Sequence, residues 1–309
     1  MRPKDRRRAA ELSDRLSSFA QTVRPLPGIA PAENRECLIE QMLESVHRVA
    51  FARCLLDLDL SPRRADPNDE LFDPLKAAVL SLRAGDMEEA FWLVFLFVHF
   101  GKNARAGWRY VAEIYGGLGN GQPWNWRRVS QSPAGFRAWL DANLARIRRE
   151  GVPGGFGNHR KYESLDANSP NGTGAAVETY VNWVAPPRTH VELVTEATLL
   201  ESGDPYRAFD KLYRSMDAVA RFGRTARFDY LTMLGKLGLA AIQPGSTYME
   251  GATGPARGAR LLFGVDASQR TLDQWVVQLG SILSLGMQEM EDSLCNWQKS
   301  PAVFRRFRG

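Results

Sequence analysis

The sequence predicts an all-α fold, and three observations carry that prediction. Apolar residues recur at helical spacing through most of the chain, no segment shows the alternation of a half-buried strand, and glycine and proline close the periodic stretches. At 309 residues the chain can bury the core of one large or two modest domains. Hydrophobic residues at 44% and charged residues at 24% are the ordinary balance of a globular protein.

Taken in order, Arg7 to Ala20 reads as a strongly charged helix stopped by Arg24-Pro25-Leu26-Pro27-Gly28, its basic start an arm that tracks phosphate or simply frays. Asn34 to Leu58 reads as a long helix with Leu38, Met42, Val46 and Val49 on one face. Phe72 to Leu82 and Met87 to Val98 form a helical pair joined across Ala84-Gly85-Asp86. The apolar run Ala90 to Val98 is far shorter than the roughly 18 residues that span a bilayer, so it reads as a core helix and no membrane partner is expected. His99-Phe100-Gly101-Lys102-Asn103 then interrupts it, and His99 at a helix end reads first as a C-terminal cap. Gly107 to Tyr115 is the next helix. It closes on Gly116-Gly117-Leu118-Gly119-Asn120-Gly121, which lacks the Lys-Ser/Thr of a P-loop and reads as a cap and turn.

A helix from Pro133 to Arg149 carries Phe136 and Trp139, with Arg146, Arg148 and Arg149 on its other face. Thr173 caps a helix with Val177, Tyr180, Val181 and Val184 in register, ending before Pro186-Pro187. Helices follow over Val191 to Leu200, Pro205 to Phe222 and Arg224 to Leu239. Gly254-Pro255 opens another, presenting free backbone N–H groups that suit a phosphate, with Asp266 beyond the breaker Gly264. The last helix, Thr271 to Gln298, aligns Val276, Leu279, Leu283, Met287, Met290, Leu294 and Trp297, with Glu291 and Cys295 one turn apart beside them. Phe304-Arg305-Arg306-Phe307-Arg308 makes a basic aromatic tail.

The densest chemistry lies in one irregular stretch, Phe156-Gly157-Asn158-His159-Arg160-Lys161-Tyr162-Glu163, set between a glycine-rich approach and the turn-rich Asn168 to Gly174. It offers an amide that can read base edges, cations that can hold phosphate and groups that can move protons. A solvated polar loop whose Asn or Arg ties its ends together would show the same composition. The 40 Lys and Arg residues and the formal charge of +5 fit a polyanionic partner. Three cysteines, odd in number and widely spaced, support neither a disulfide framework nor a zinc site, and the four histidines lack metal-ligand spacing, so no cofactor or metal is expected. The basic start is not followed by an apolar signal core, which points to a cytoplasmic protein.

Three blocks carry a resemblance: His99 to Asn103 with Tyr115-Gly116-Gly117-Leu118-Gly119; Phe156 to Tyr162; and Gly254-Pro255 through Asp266 with Met290 to Lys299. On these the chain resembles clade 3 of the alpha-glutamyl/putrescinyl thymine pyrophosphorylase family. The middle and last blocks look like diverged forms of a Phe-x-Asn-x-x-Arg motif and a Glu-x-x-Leu-Cys-x-x-x-Lys motif of sister clades, with the Arg here two residues after the Asn. The resemblance implies a multi-helical fold similar to helix-hairpin-helix DNA glycosylases. It also implies double-stranded DNA carrying modified pyrimidines, as in phage, for substrate.

Two reactions follow from that resemblance. In base excision by flipping, a monofunctional glycosylase leaves an abasic site as anti-phage defence, with Asp266, Asn158, His159 and Glu291 as catalytic candidates. Phe156, Arg160, Lys161, Tyr162, Glu163, His99, Lys102, Gly254, Arg257 and Lys299 would then hold substrate and DNA. In group transfer, an amine displaces pyrophosphate from a thymine methyl carbon, with Arg160 and Lys161 holding the leaving group and Glu291 or His159 taking the proton. A DNA-binding module without catalysis is the third reading. The expected organisation is a basic arm over 1–30 and a single all-α catalytic domain over 31–309, divisible into lobes at about 31–150 and 151–309. Both reactions require distant residues to meet in one cleft.

Overall fold

The computed structural model describes residues 3–119 and 121–306; Met1 and Arg2 of the basic start, Asn120 of the glycine cluster, and Phe307 and Arg308 of the tail lie outside the described residues. Among the described residues there are fourteen α-helices and no strand. In chain order they are α1 (Arg6–Thr22), α2 (Ala32–Cys54), α3 (Pro74–Arg83), α4 (Met87–Phe100), α5 (Arg109–Tyr115), α6 (Trp126–Gln131) and α7 (Pro133–Ile147). Then come α8 (Thr173–Val184), α9 (His190–Leu200), α10 (Pro205–Ser215), α11 (Arg224–Lys236), α12 (Gly254–Phe263), α13 (Gln269–Leu283) and α14 (Met287–Trp297). No helix among the described residues is long and apolar enough to cross a membrane.

The chain forms two compact units, one from Met1–Arg53 with Pro244–Arg308 and one from Cys54–Gln243. In the terminal unit, the apolar faces of α1, α2, α12, α13 and α14 share a core built on Leu12, Leu16, Phe19, Met42, Leu262 and Trp297. The basic start therefore belongs to a packed helix that buries Ala9, Leu12, Leu16 and Phe19, rather than to a frayed end. Helices α12 and α14 approach at backbone distance: a Cβ on Gly258 would lie 2.4 Å from the Leu294 carbonyl oxygen, and one on Gly254 would lie 2.6 Å from Cys295 Sγ.

The single helix expected from Thr271 to Gln298 is two. Ser284 turns left-handed at φ 53°, Leu285 N–H returns to the Gly280 carbonyl at 2.9 Å, and Gly286 starts α14. Arg15 stabilises the break by donating to the Ile282 carbonyl at 3.0 Å and to Ser284 Oγ at 2.6 Å. The apolar stripe survives, since Val276, Leu279, Leu283, Met287, Met290, Leu294 and Trp297 are all buried. Periodicity registers which face is apolar and misses a three-residue corner that keeps it in phase.

The middle unit is built around α4. From Glu89 through Phe100 only Phe97 escapes full burial, and α3 pairs with it across a turn where Gly85 takes φ 81°. Asp86 caps α4 by accepting from Glu89 N–H at 3.1 Å. Trp92, Phe95, Trp126, Tyr180, Phe222 and Tyr230 pack ring to ring beside it. Helix α6 went unforeseen because its six residues are too short for a periodic signal. The helix expected to reach Phe222 ends at Ser215 in a 3-10 turn, Met216–Ala218. Gly172, not Thr173, is the N-cap of α8, because the Thr173 hydroxyl is committed to the Ser164 carbonyl at 2.8 Å.

Candidate functional site

The polar stretch after Phe156 is held by backbone. Gly101 ends α4 at φ 61°, and Gly157 N–H donates to the Phe100 carbonyl at 2.7 Å. A Cβ on Gly157 would sit 2.7 Å from the Gly101 carbonyl carbon, so the approach requires glycine there. Asn103 Nδ2 donates to the Phe156 carbonyl at 3.1 Å, and the Phe156 ring stacks on Phe100 with centroids 5.4 Å apart. A short 3-10 turn, Asn158–Arg160, follows.

Within that frame the side chains divide. Arg160 turns inward: Nε donates to the Val98 carbonyl at 2.8 Å, and Nη2 meets Asp229 Oδ2 at 3.0 Å. Glu163 is covered by Arg221, whose Nε lies 2.7 Å from its Oε2. Asn158, His159, Lys161 and Tyr162 are exposed, Tyr162 to 81%, and Lys161 Nζ sits 5.0 Å from the Tyr162 ring centre. Lys102 is exposed on the Gly101–Asn103 segment that touches this stretch. Two ion pairs thus hold a four-residue polar face outward.

His99 is not an exposed cap. It is 2% exposed, and its Nε2 lies 3.0 Å from Thr173 Oγ1. Because that hydroxyl donates to Ser164, it accepts from His99, which fixes the Nε2–H tautomer. Burial, reinforced by Arg160 and Arg221, pushes its pKa down to about 3, so the ring stays neutral and structural.

Sequence reasoning missed two buried polar groups of the same unit. His190 donates from Nδ1 to Glu88 Oε2 at 2.7 Å, its Nε2 lies 2.7 Å from Tyr180 OH, and that hydroxyl lies 2.8 Å from Tyr230 OH. Burial keeps His190 below its ordinary pKa against the pull of Glu88. Burial pushes Glu88 up, but its bonds from the His190 ring and backbone carry it net below the ordinary range. The second group is Glu89, which accepts from Tyr115 OH and Trp126 N–H, both at 2.7 Å, and whose pKa burial raises to about 7. The available signal was tyrosine or glutamate at positions whose helical phase points inward.

The other candidates lie in the terminal unit. Gly254 begins α12 against Cys295, and Arg257 is exposed on its first turn. Asp266 has a side chain 92% exposed and paired with Arg260 Nε at 2.8 Å. Glu291 is buried in α14, its neighbour Asp292 binds Arg48 at 2.7 Å, and Lys299 Nζ reaches Asn296 Oδ1 at 3.0 Å. The structure thus gathers His99, Lys102 and Phe156 to Glu163 in the middle unit, and Gly254, Arg257, Asp266, Glu291 and Lys299 in the terminal one. Among the described residues no group of three or more His, Cys, Asp or Glu side chains is arranged to hold a metal ion.

Comparison with curated proteins and with solved structures finds no match. Residues 33–309 match the family described as alpha-glutamyl/putrescinyl thymine pyrophosphorylase clade 3, a match that spans the whole middle unit, the terminal unit from residue 33 onward and every candidate residue above. That description is of an enzyme of modified thymine in DNA. The chain therefore belongs to the alpha-glutamyl/putrescinyl thymine pyrophosphorylase family, clade 3.

Proposed function

We propose that this protein excises a hypermodified pyrimidine from double-stranded DNA by flipping the base, leaving an abasic site, and that it serves defence against phage carrying such bases. The observation that supports base recognition is the fixed outward face of Asn158, His159, Lys161 and Tyr162. An amide reads a Watson–Crick edge with paired donor and acceptor, an exposed tyrosine stacks on a base or fills the gap it leaves, and Lys161 and Lys102 hold phosphate. Arg160 and Glu163 contribute by position, through Asp229 and Arg221. His159 is the proton carrier of this face. Asp266 is proposed as the carboxylate that activates water, with Glu291 as the buried alternative. The α12 start at Gly254–Pro255, with Arg257, is read as the phosphate-binding end of a helix-hairpin-helix element, and Lys299 as a further DNA contact.

The family description favours a second reading, displacement of pyrophosphate from a thymine methyl carbon by an amine, in which His159 or Glu291 accepts the amine proton and Lys161 holds the leaving group. Incubation with hypermodified and plain duplex DNA separates the readings. Alkali-labile sites on hypermodified DNA alone support excision, and pyrophosphate release from intact strands supports displacement. Binding with neither product removes both. Asn158→Ala and Asp266→Asn are expected to lower product formation at least tenfold at unchanged Tm.

A further inference from the structure

We propose that Tyr248 is a substrate-contacting residue in addition to Tyr162, its ring stacking on a pyrimidine of the bound DNA strand. The proposal rests on the reading that DNA carrying a modified pyrimidine is the substrate, and it holds for excision and displacement alike.

Tyr248 has φ 50°, in the left-handed region that glycine occupies freely and tyrosine only under strain. Among the described residues, five other non-glycine residues have positive φ and none of them is aromatic. Ala185 and Ser284 adopt it as helix C-caps, where it is ordinary. Tyr248 caps no helix, since α11 ends at Lys236 and α12 begins at Gly254.

The strained backbone is held from both sides. Before it, the buried Thr247 gives its N–H to Asp273 Oδ1 at 2.9 Å and its hydroxyl to the same oxygen. After it, Met249 sits in the core of the terminal unit, and Ala252 N–H closes a turn on the Met249 carbonyl at 2.7 Å. Gln269, one turn from Asp273 on α13, accepts from Gly251 N–H at 3.0 Å and donates to the Ala252 carbonyl at 2.9 Å. Tyr248 N–H itself turns to Ser246 Oγ at 3.1 Å. Helix α13 thus commits two polar side chains to clamping a strap whose central residue is unfavourable.

Strain that the surroundings over-determine, and that no helix cap explains, marks a residue kept for its side chain. Tyr248 remains partly exposed between two buried neighbours. The Met249–Ala252 turn brings the residues flanking it, Tyr248 and Thr253, alongside each other. Thr253 is the N-cap of α12, the helix start proposed above to hold a phosphate. A phosphate site next to an aromatic ring matches the two ends of one nucleotide, its charged backbone and the π-face of its base.

Fluorescence anisotropy of the full chain with hypermodified and plain duplexes tests the proposal. Wild-type protein that binds neither duplex would overturn the DNA reading and this proposal with it. Against a wild type that binds, Tyr248→Asn, which tolerates the left-handed backbone, is expected to keep its Tm within about 2 °C and to bind more weakly by about fivefold or more. Tyr248→Phe, which keeps the ring, is expected to stay within about twofold of wild type. Full affinity in Tyr248→Asn, a melt that falls together with its affinity, or an equal loss in Tyr248→Phe would overturn this proposal alone. Photocrosslinking of the unaltered protein to a duplex carrying 5-iodouracil gives a second measurement. Peptide mapping is expected to find the adduct on Tyr248, and adducts confined to other residues, or none, would overturn the stacking contact.

Discussion

Arg160 and Asp229 meet at 3.0 Å, so a cation in the middle of the most polar stretch of the chain is spent inward, tying that stretch to α11. The same guanidinium holds the Val98 carbonyl near the end of α4. Replacing Arg160 by alanine leaves that carbonyl and Asp229 without this partner, and is expected to cost about 2–3 kcal/mol of stability. Lysine recovers only part, because one ammonium cannot span both partners. Urea unfolding of the wild type and both variants measures the difference; equal midpoints would show that the tie carries nothing.

Tyr162 makes the opposite case. With 81% of its surface exposed, Tyr162→Ala is expected to shift stability by no more than about 0.5 kcal/mol. Loss of a base-stacking ring weakens DNA binding by about 1–3 kcal/mol. Fluorescence anisotropy with a hypermodified duplex reads the second quantity and a thermal melt the first. A melt that falls with the affinity would assign Tyr162 to the fold instead.

Glu89 predicts a pH effect. Burial raises its folded-state pKa from 4.5 to about 7, so between those values the folded chain keeps a proton that the unfolded chain releases. Its contribution is most favourable below pH 4.5 and is lost as pH rises toward 7, by on the order of 3 kcal/mol. Glu89→Gln keeps both bonds, with its carbonyl facing Trp126 N–H and its amide donating to the Tyr115 oxygen, and removes the titration. Stability measured from pH 4.5 to 7 is expected to decline less in the variant. His99 and His190, buried and neutral, oppose this by destabilising the fold as pH falls below 6.5, and both proteins share that slope.

The contact between α12 and α14 is also testable. Gly258→Ala places a methyl 2.4 Å from the rigid Leu294 carbonyl and should cost about 2 kcal/mol or more. Gly254→Ala meets only the movable Cys295 thiol at 2.6 Å and should cost less. Equal losses in thermal melts would contradict the distinction between backbone and side-chain obstruction.

The helices were legible because periodic apolar faces survive small errors at their ends, as with α4 and α8. The corner at Ser284 was not, since three residues move the axis and leave the stripe in register. Within the candidate face, the sequence showed that Asn158 to Glu163 is polar and irregular. It could not show that Arg160 and Glu163 turn inward, because their partners Asp229 and Arg221 lie far along the chain. The Glu88, His190, Tyr180 and Tyr230 chain stayed hidden for the same reason: each member looked like an ordinary helix residue until four helices, α4, α8, α9 and α11, were packed.

One unit takes its helices from both ends of the chain, with the other inserted between them. During synthesis, α1 and α2 leave the ribosome with their hydrophobic stripes uncovered, and Leu12, Phe19 and Met42 must wait for α12 to α14 before they are shielded. The inserted helices carry their partners close by and can mature first. A truncation near Gln243 should therefore yield a sound middle and a sticky, chaperone-dependent start.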